Sequence, residues 1–158
     1  MMKILIDADG CPVVDITLTC AKQRGISALL ICDTAHYFER DGAQTITVSK
    51  GADSADFQLV NMVSKGDLVI TQDYGLAAMA LAKQAVVLNQ NGMQYTSENI
   101  DSLLLQRHTA RKIRMSGGRL KGPAKRTGAQ DDDFQNALCA LLDQINLCAK
   151  QGTPPHVI

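Results

Sequence analysis

Short hydrophobic runs alternate along the chain with segments whose apolar residues recur at helical spacing. The short runs are rich in Ile, Val and Leu, which predicts buried strands at residues 3–6, 28–32, 44–49, 67–71 and 86–88. The helical spacing predicts helices over about 12–24, 53–64, 76–84, 97–106 and 131–149. Strands that alternate with helices predict an α/β fold, with a mainly parallel sheet covered by helices on both faces.

The chain of 158 residues is most simply a single domain over 1–158, because it contains no internal repeat and no separate linker. No apolar run approaches the ~20 residues that a membrane-spanning helix needs, so a membrane partner is not expected. The sequence enters its first strand without a basic region or a long apolar stretch, which predicts a cytoplasmic protein. Its oligomeric state stays open.

Cysteine usage gives no sign of a disulfide framework or a zinc ribbon, because the count of 5 is odd and no Cys-x-x-Cys pair occurs. Cys11 lies directly after the first strand. A small residue in a tight turn is the simpler interpretation, and a thiol nucleophile is the alternative.

Positive charge is concentrated in one segment, although the net charge of the chain is zero. Residues 107–126 carry 8 of the 16 Lys and Arg and no acid. The glycines and the proline within and after this segment predict a basic loop over 107–128. Such a loop suits a nucleic-acid backbone, and the alternative is a solvated loop that balances an acidic body. The candidate nucleic-acid-binding residues are Lys50, Arg111, Lys112, Arg114, Arg119, Lys121, Lys125 and Arg126.

Acidic residues follow two of the predicted strands and begin the helix between them. The candidate metal ligands are Asp7, Asp9, Asp53, Asp56 and Asp73. If the first and fourth strands are neighbours, Asp7 and Asp73 meet at one edge of the sheet. Several acids also have a structural alternative: Asp53 and Asp73 suit helix caps, Asp56 suits a first-turn helix charge, and the acids at 131–133 suit a first helical turn. Asp7, directly after an apolar strand, is the hardest to explain by structure alone.

Carboxylates gathered at one edge repel one another, and a shared divalent cation removes that repulsion. Hard oxygen ligands suit Mg²⁺ or Mn²⁺, which also bind phosphate oxygens and activate water for phosphodiester cleavage. Asp7, Asp56 and Asp73 are the predicted catalytic residues.

Three motifs carry a resemblance to a known family: Asp-Ala-Asp-Gly-Cys-Pro-Val at 7–13, Lys-Gly-Ala-Asp-Ser-Ala-Asp at 50–56, and the stretch from Gly66 to Ala77. They resemble the YaiI/YqxD family of bacterial proteins, which is similar to the PIN and NYN domains, metal-dependent ribonucleases. The resemblance implies a PIN-like α/β/α fold of three layers. By it, Asp7 matches the first PIN carboxylate and Asp73 the acid of the Thr-x-Asp motif. Asp56 or Asp53 replaces an acid that PIN domains often supply as Glu.

The leading hypothesis is a metal-dependent nuclease that acts on nucleic acid, with RNA as the expected partner. A second hypothesis is a phosphatase similar to the haloacid dehalogenases, with Asp7 as the nucleophile, although Cys11 departs from that motif and Gly66-Asp67 precedes a strand instead of following one. A third is an RNA-binding protein without catalytic activity.

Overall fold

A computed structural model describes residues 2–33, 40–48, 54–118 and 125–151. The helices are α1 (Val14–Gln23), α2 (Ser54–Met62), α3 (Tyr74–Ala82), α4 (Ile100–Met115) and α5 (Gly128–Gln151). The strands are β1 (Lys3–Asp7), β2 (Ser27–Asp33), β3 (Ala43–Val48), β4 (Leu68–Ile70), β5 (Val86–Leu88) and β6 (Gln94–Tyr95).

The described strands form one sheet in the order β3-β2-β1-β4-β5-β6. All neighbouring pairs are parallel except β5 and β6. The predicted α/β class with a mainly parallel sheet is therefore confirmed. The antiparallel β6 was not predicted, because two residues are too few to show an alternating pattern.

Helices cover both faces of the sheet, which gives three layers. Ile4 and Ile6 of β1 pack in a core with α1 and α5, whereas Leu5 points to the opposite face, into a core with α2, α3 and α4. This division follows from the alternation of side chains along a strand. The periodic apolar residues of α5, among them Phe134 and Leu142, are buried against the first face.

The basic segment is not a loop throughout, contrary to the prediction for 107–128. Helix α4 continues to Met115, and only then does Gly117, in a left-handed conformation with φ +87, end it. Arg, Lys and Met are good helix formers, so the helix extends without an apolar face. α5 likewise begins at Gly128, three residues before its predicted start.

Candidate active site at the carboxyl ends of β1 and β4

The central strands β1 and β4 are neighbours, and the chain leaves them in opposite directions. From β1 it crosses through α1 to β2, whereas from β4 it crosses through α3 to β5, on the other side of the sheet and on its other face. In open α/β sheets, a crevice for ligands forms at such a switch point, outside the carboxyl ends of the strands. The candidate site is therefore the edge where Asp7 ends β1 and Thr71 follows β4.

Thr71 connects the two acids at this edge. Its hydroxyl donates to Oδ2 of Asp7 at 2.9 Å and accepts from the backbone N–H of Asp73 at 3.0 Å. The Thr71 side chain is buried, and its carbonyl accepts a hydrogen bond from the hydroxyl of Tyr95. Asp7 and Asp73 both remain partly exposed. The buried Thr71 thus bonds the carboxylate of Asp7 and the backbone of Asp73 at the same end of the sheet.

Asp73 is also the N-cap of α3. Its Oδ1 accepts hydrogen bonds from the backbone N–H groups of Gly75 at 2.8 Å and Leu76 at 3.2 Å. These bonds satisfy two of the donors that every helix leaves unpaired at its start. The capping role that the sequence left open for Asp73 is therefore real, and any role in chemistry comes in addition to it.

Arg107 brings positive charge to the same acid, and sequence reasoning did not include it among the site residues. Its Nη1 lies 3.3 Å from Oδ1 of Asp73, in an ion pair whose side chains are 54% and 33% exposed. Arg107 lies in the middle of α4, directly after the predicted end of that helix at residue 106. The sequence does contain one indication of this position: Arg107 lies three, four and seven residues after Leu104, Leu103 and Ile100, which is helical spacing.

The side of α4 that faces the protein changes from apolar to basic along the helix. Ile100, Leu103 and Leu104 pack into the core with α2 and α3. Positions 107, 111 and 114 continue the same stripe, since residues three and four apart share a helix face. All three are arginines with exposed side chains. We call Arg107, Arg111 and Arg114 the arginine stripe.

The turn after β1 is bonded to the residue that follows Thr71. Gly10 has a left-handed conformation with φ +68, and its carbonyl accepts a hydrogen bond from Nε2 of Gln72 at 3.1 Å. Asp9 lies partly exposed in this turn. Burial raises the pKa of the neighbouring Cys11 thiol, and the negative charge of Asp7 raises it further. A thiol with a raised pKa stays protonated at neutral pH, which favours the small-residue interpretation of Cys11.

Arg126 holds two elements of the protein together at this edge. Its Nε donates to Asp131 at 2.7 Å, while Nη1 donates to the side chain of Asn91 and Nη2 to the carbonyl of Gln90. The guanidinium thus connects the turn between β5 and β6 to the first turn of α5, and its predicted contact with nucleic acid would compete with these bonds. Lys125 beside it is exposed.

Several predicted site residues cannot be placed. Asp53, Lys50, Arg119 and Lys121 lie outside the described residues, as does the side chain of Asp56. The backbone of residue 56 lies in the first turn of α2, which follows β3 and contacts β1. Within the described ranges, no group of three or more His, Cys, Asp or Glu is placed to hold a metal ion.

Asp67 lies at the opposite edge of the sheet from Asp7. It precedes β4, is 2% exposed, and forms an ion pair with the ammonium of Lys3 at the start of β1. Its carboxylate also accepts the backbone N–H groups of Lys3 and Ser64. The phosphatase hypothesis would need Asp67 beside Asp7. Asp67 instead has a structural role at the opposite ends of the strands.

None of the described helices is long and apolar enough to cross a bilayer.

Comparisons with known proteins agree on one family. Residues 5–144 match the model of the family described as "Uncharacterized BCR, YaiI/YqxD family". The chain is 53% identical over 143 residues to a UPF0178 protein of Exiguobacterium sibiricum, covering 90% of this chain and 98% of that one. It is 51% identical over 141 residues to a UPF0178 protein of Ruminiclostridium cellulolyticum, covering 89% and 92%. No solved structure matches the chain. The chain therefore belongs to the YaiI/YqxD family.

Proposed function

We propose that the protein is a divalent-metal-dependent nuclease that hydrolyses phosphodiester bonds in RNA. The observation that carries the proposal is the connection of Asp7 and Asp73 through Thr71 at the switch point of the sheet, with Arg107 beside Asp73. Carboxylates and a guanidinium at one opening suit a substrate that is a chain of phosphates, which needs both a cation site and fixed positive charge. The resemblance of the family to PIN and NYN domains is consistent with this assignment.

Mg²⁺ or Mn²⁺ is the proposed cofactor. Asp7 and Asp73 would hold it, with Asp9, Asp53 and Asp56 as further candidates. One or two carboxylates are enough for Mg²⁺, which keeps several waters and takes phosphate oxygens as its remaining ligands. A cation held there would supply an activated water and would stabilise the charge that develops on the phosphate.

The side chains of the protein orient the carboxylates and bind the RNA backbone. Thr71 orients the carboxylate of Asp7 through its hydroxyl, and it orients the start of α3 through the N–H of Asp73. The exposed basic residues of α4 hold the phosphate backbone, chiefly by charge. Lys125 is exposed and would add positive charge. Lys50, Arg119 and Lys121 lie outside the described residues and stay candidates from the sequence.

Cleavage of RNA by the purified protein tests the proposal. We expect cleavage of a labelled RNA with Mn²⁺ and none with EDTA. Asp7→Asn should abolish cleavage with little change in the unfolding midpoint, because an amide oxygen can still accept the Thr71 hydrogen bond. Asp143→Asn is the matched control, since Asp143 is an exposed acid on α5 that pairs with Arg24. Absence of metal-dependent cleavage from the wild type would overturn the proposal.

A second candidate, an RNA-binding protein without catalysis, has one observation in its favour. Oδ1 of Asp73 already has three donors: two backbone N–H groups and Arg107. These bonds stabilise the carboxylate without any metal ion. Binding of RNA that survives Asp7→Asn, together with no turnover by the wild type, would select this function.

A further inference from the structure

We propose that Arg107 positions the phosphate that reacts at Asp7 and Asp73, and that the arginine stripe directs the RNA strand outward along α4. The inference rests on the proposed function, since it assigns a path to the same substrate. It identifies Arg107, Arg111 and Arg114 as a single row of phosphate-binding side chains.

The row begins at the site itself, because Arg107 contacts Asp73. Residues at i, i+4 and i+7 share a helix face, and at 1.5 Å per residue Arg111 and Arg114 lie about 6 Å and 10.5 Å further along the axis. From Leu105 to Gly118 every described residue except Ala110 is exposed. This part of α4 therefore leaves the core, and its guanidiniums lead away from the carboxylates.

Arg107 has donors for both an acid and a phosphate. A guanidinium carries five N–H donors in a plane, and the ion pair with Asp73 is formed through Nη1. A phosphate oxygen can be held by the same group, which would fix the phosphate at a set distance from Asp73. The exposure of Arg107 leaves room for a ligand to approach.

Helix electrostatics does not explain Arg107. Lys112 and Arg114 lie in the last turn of α4, where positive charge stabilises the helix dipole. Arg107 stands two turns before the end of the helix, outside the range of that effect. Its position on the stripe that starts with Ile100 and Leu104 would suit an apolar residue if α4 stayed packed on the core.

Binding to an oligouridylate in EDTA tests Arg107 separately from catalysis. Each phosphate that a basic side chain neutralises on a single strand contributes about 0.7 to the slope of log K against log salt. We expect Arg107→Ala to weaken binding several-fold and to lower the slope by that amount. Arg107→Lys should restore the slope but only part of the affinity. Arg24→Ala is the control, because Arg24 is in an ion pair with Asp143, and it should match the wild type.

Cleavage kinetics with Mn²⁺ complete the test. Arg107→Ala should raise KM and lower kcat. If Arg107 had only a structural role, its removal would leave the salt slope of RNA binding unchanged. Wild-type affinity and slope in Arg107→Ala would overturn the inference, and cleavage by the wild type in the Mn²⁺ assay would leave the proposed function standing. Conversely, a reduced slope in Arg107→Ala with no cleavage by the wild type would support the RNA path and reject the nuclease. Absence of both RNA binding and cleavage by the wild type would overturn both.

Discussion

The hydroxyl of Thr71 donates to Oδ2 of Asp7 at 2.9 Å, so the residue after β4 is bonded to the last residue of β1. The same hydroxyl accepts the backbone N–H of Asp73. One buried oxygen therefore bonds the carboxylate of Asp7 and the backbone of Asp73, two residues that are far apart in the sequence.

Thr71→Val should destabilise the protein while keeping the size and shape of the side chain. The substitution removes a hydrogen bond to a carboxylate and leaves the N–H of Asp73 without its acceptor, which together should cost about 1–3 kcal/mol. Urea unfolding measures the loss. Thr19→Val is the control, because the Thr19 hydroxyl bonds a helix carbonyl on an exposed surface, and its effect should stay within about 0.5 kcal/mol. Equal effects of the two substitutions would contradict this role for Thr71.

Substitutions at Asp73 should separate its capping role from its charge. Asp73→Ala removes the cap of α3 and should cost about 1 kcal/mol. Asp73→Asn keeps an oxygen that can accept from Gly75 and Leu76, so stability should change little. Both variants lose the negative charge, and both should lose metal-dependent cleavage. Full activity in a stable Asp73→Asn protein would show that Asp73 acts as a cap alone. Unfolding curves and cleavage assays on the same preparations provide the comparison.

The buried ion pair at the other edge should contribute strongly to stability. Asp67→Ala leaves the Lys3 ammonium and the N–H groups of Lys3 and Ser64 without their acceptor. We expect a loss of about 3 kcal/mol, at the low end for a broken buried pair because Lys3 keeps some contact with water. Thermal and urea unfolding measure it. The exposed pair of Arg24 and Asp143 is the comparison, and Asp143→Asn should leave the midpoint nearly unchanged. Similar midpoints for both variants would refute the distinction.

Stability should fall in alkaline solution through Cys20. Burial, with the Cys139 thiol at 3.3 Å, raises the pKa of the Cys20 thiol from 9.0 to about 11. Between these values the unfolded chain releases this proton and the folded protein keeps it, so the unfolded state binds fewer protons and stability decreases as pH rises. Below pH 9 the contribution of the Cys20 thiol to the free energy of unfolding is fully present. Urea midpoints at pH 8, 9 and 10 should therefore fall more steeply for the wild type than for Cys20→Ala. Parallel curves would contradict the prediction.

The sequence was sufficient for most of the framework because the central strands β1, β4 and β5 contain short apolar runs. Residues 4–6 and 86–88 are buried on both faces, so their hydrophobic runs are unambiguous. The order of the strands depends on crossovers that no local pattern encodes. β6 is only two residues long, and it was missed for that reason.

The site was only partly predictable, because Arg107 lies beyond the end that the sequence predicts for α4. A helix that leaves the core loses the apolar periodicity by which helices are recognised, so α4 seemed to end near residue 106. The glycines of the basic segment do mark the end of the helix, but at Gly117 and not near residue 106. Asp7 and Asp73 could be predicted as site residues because each lies at or just after the end of a predicted strand. The contacts of Thr71 with both residues could not be predicted, because they depend on the pairing of β1 with β4.

The switch point between β1 and β4 arises from the route of the backbone, because the crossovers diverge there whatever side chains surround it. A switch point of this origin persists when the groups around it are exchanged. Proteins that share this chain path can therefore differ in the reaction they carry out while folding alike, and activity must be assayed for each of them individually.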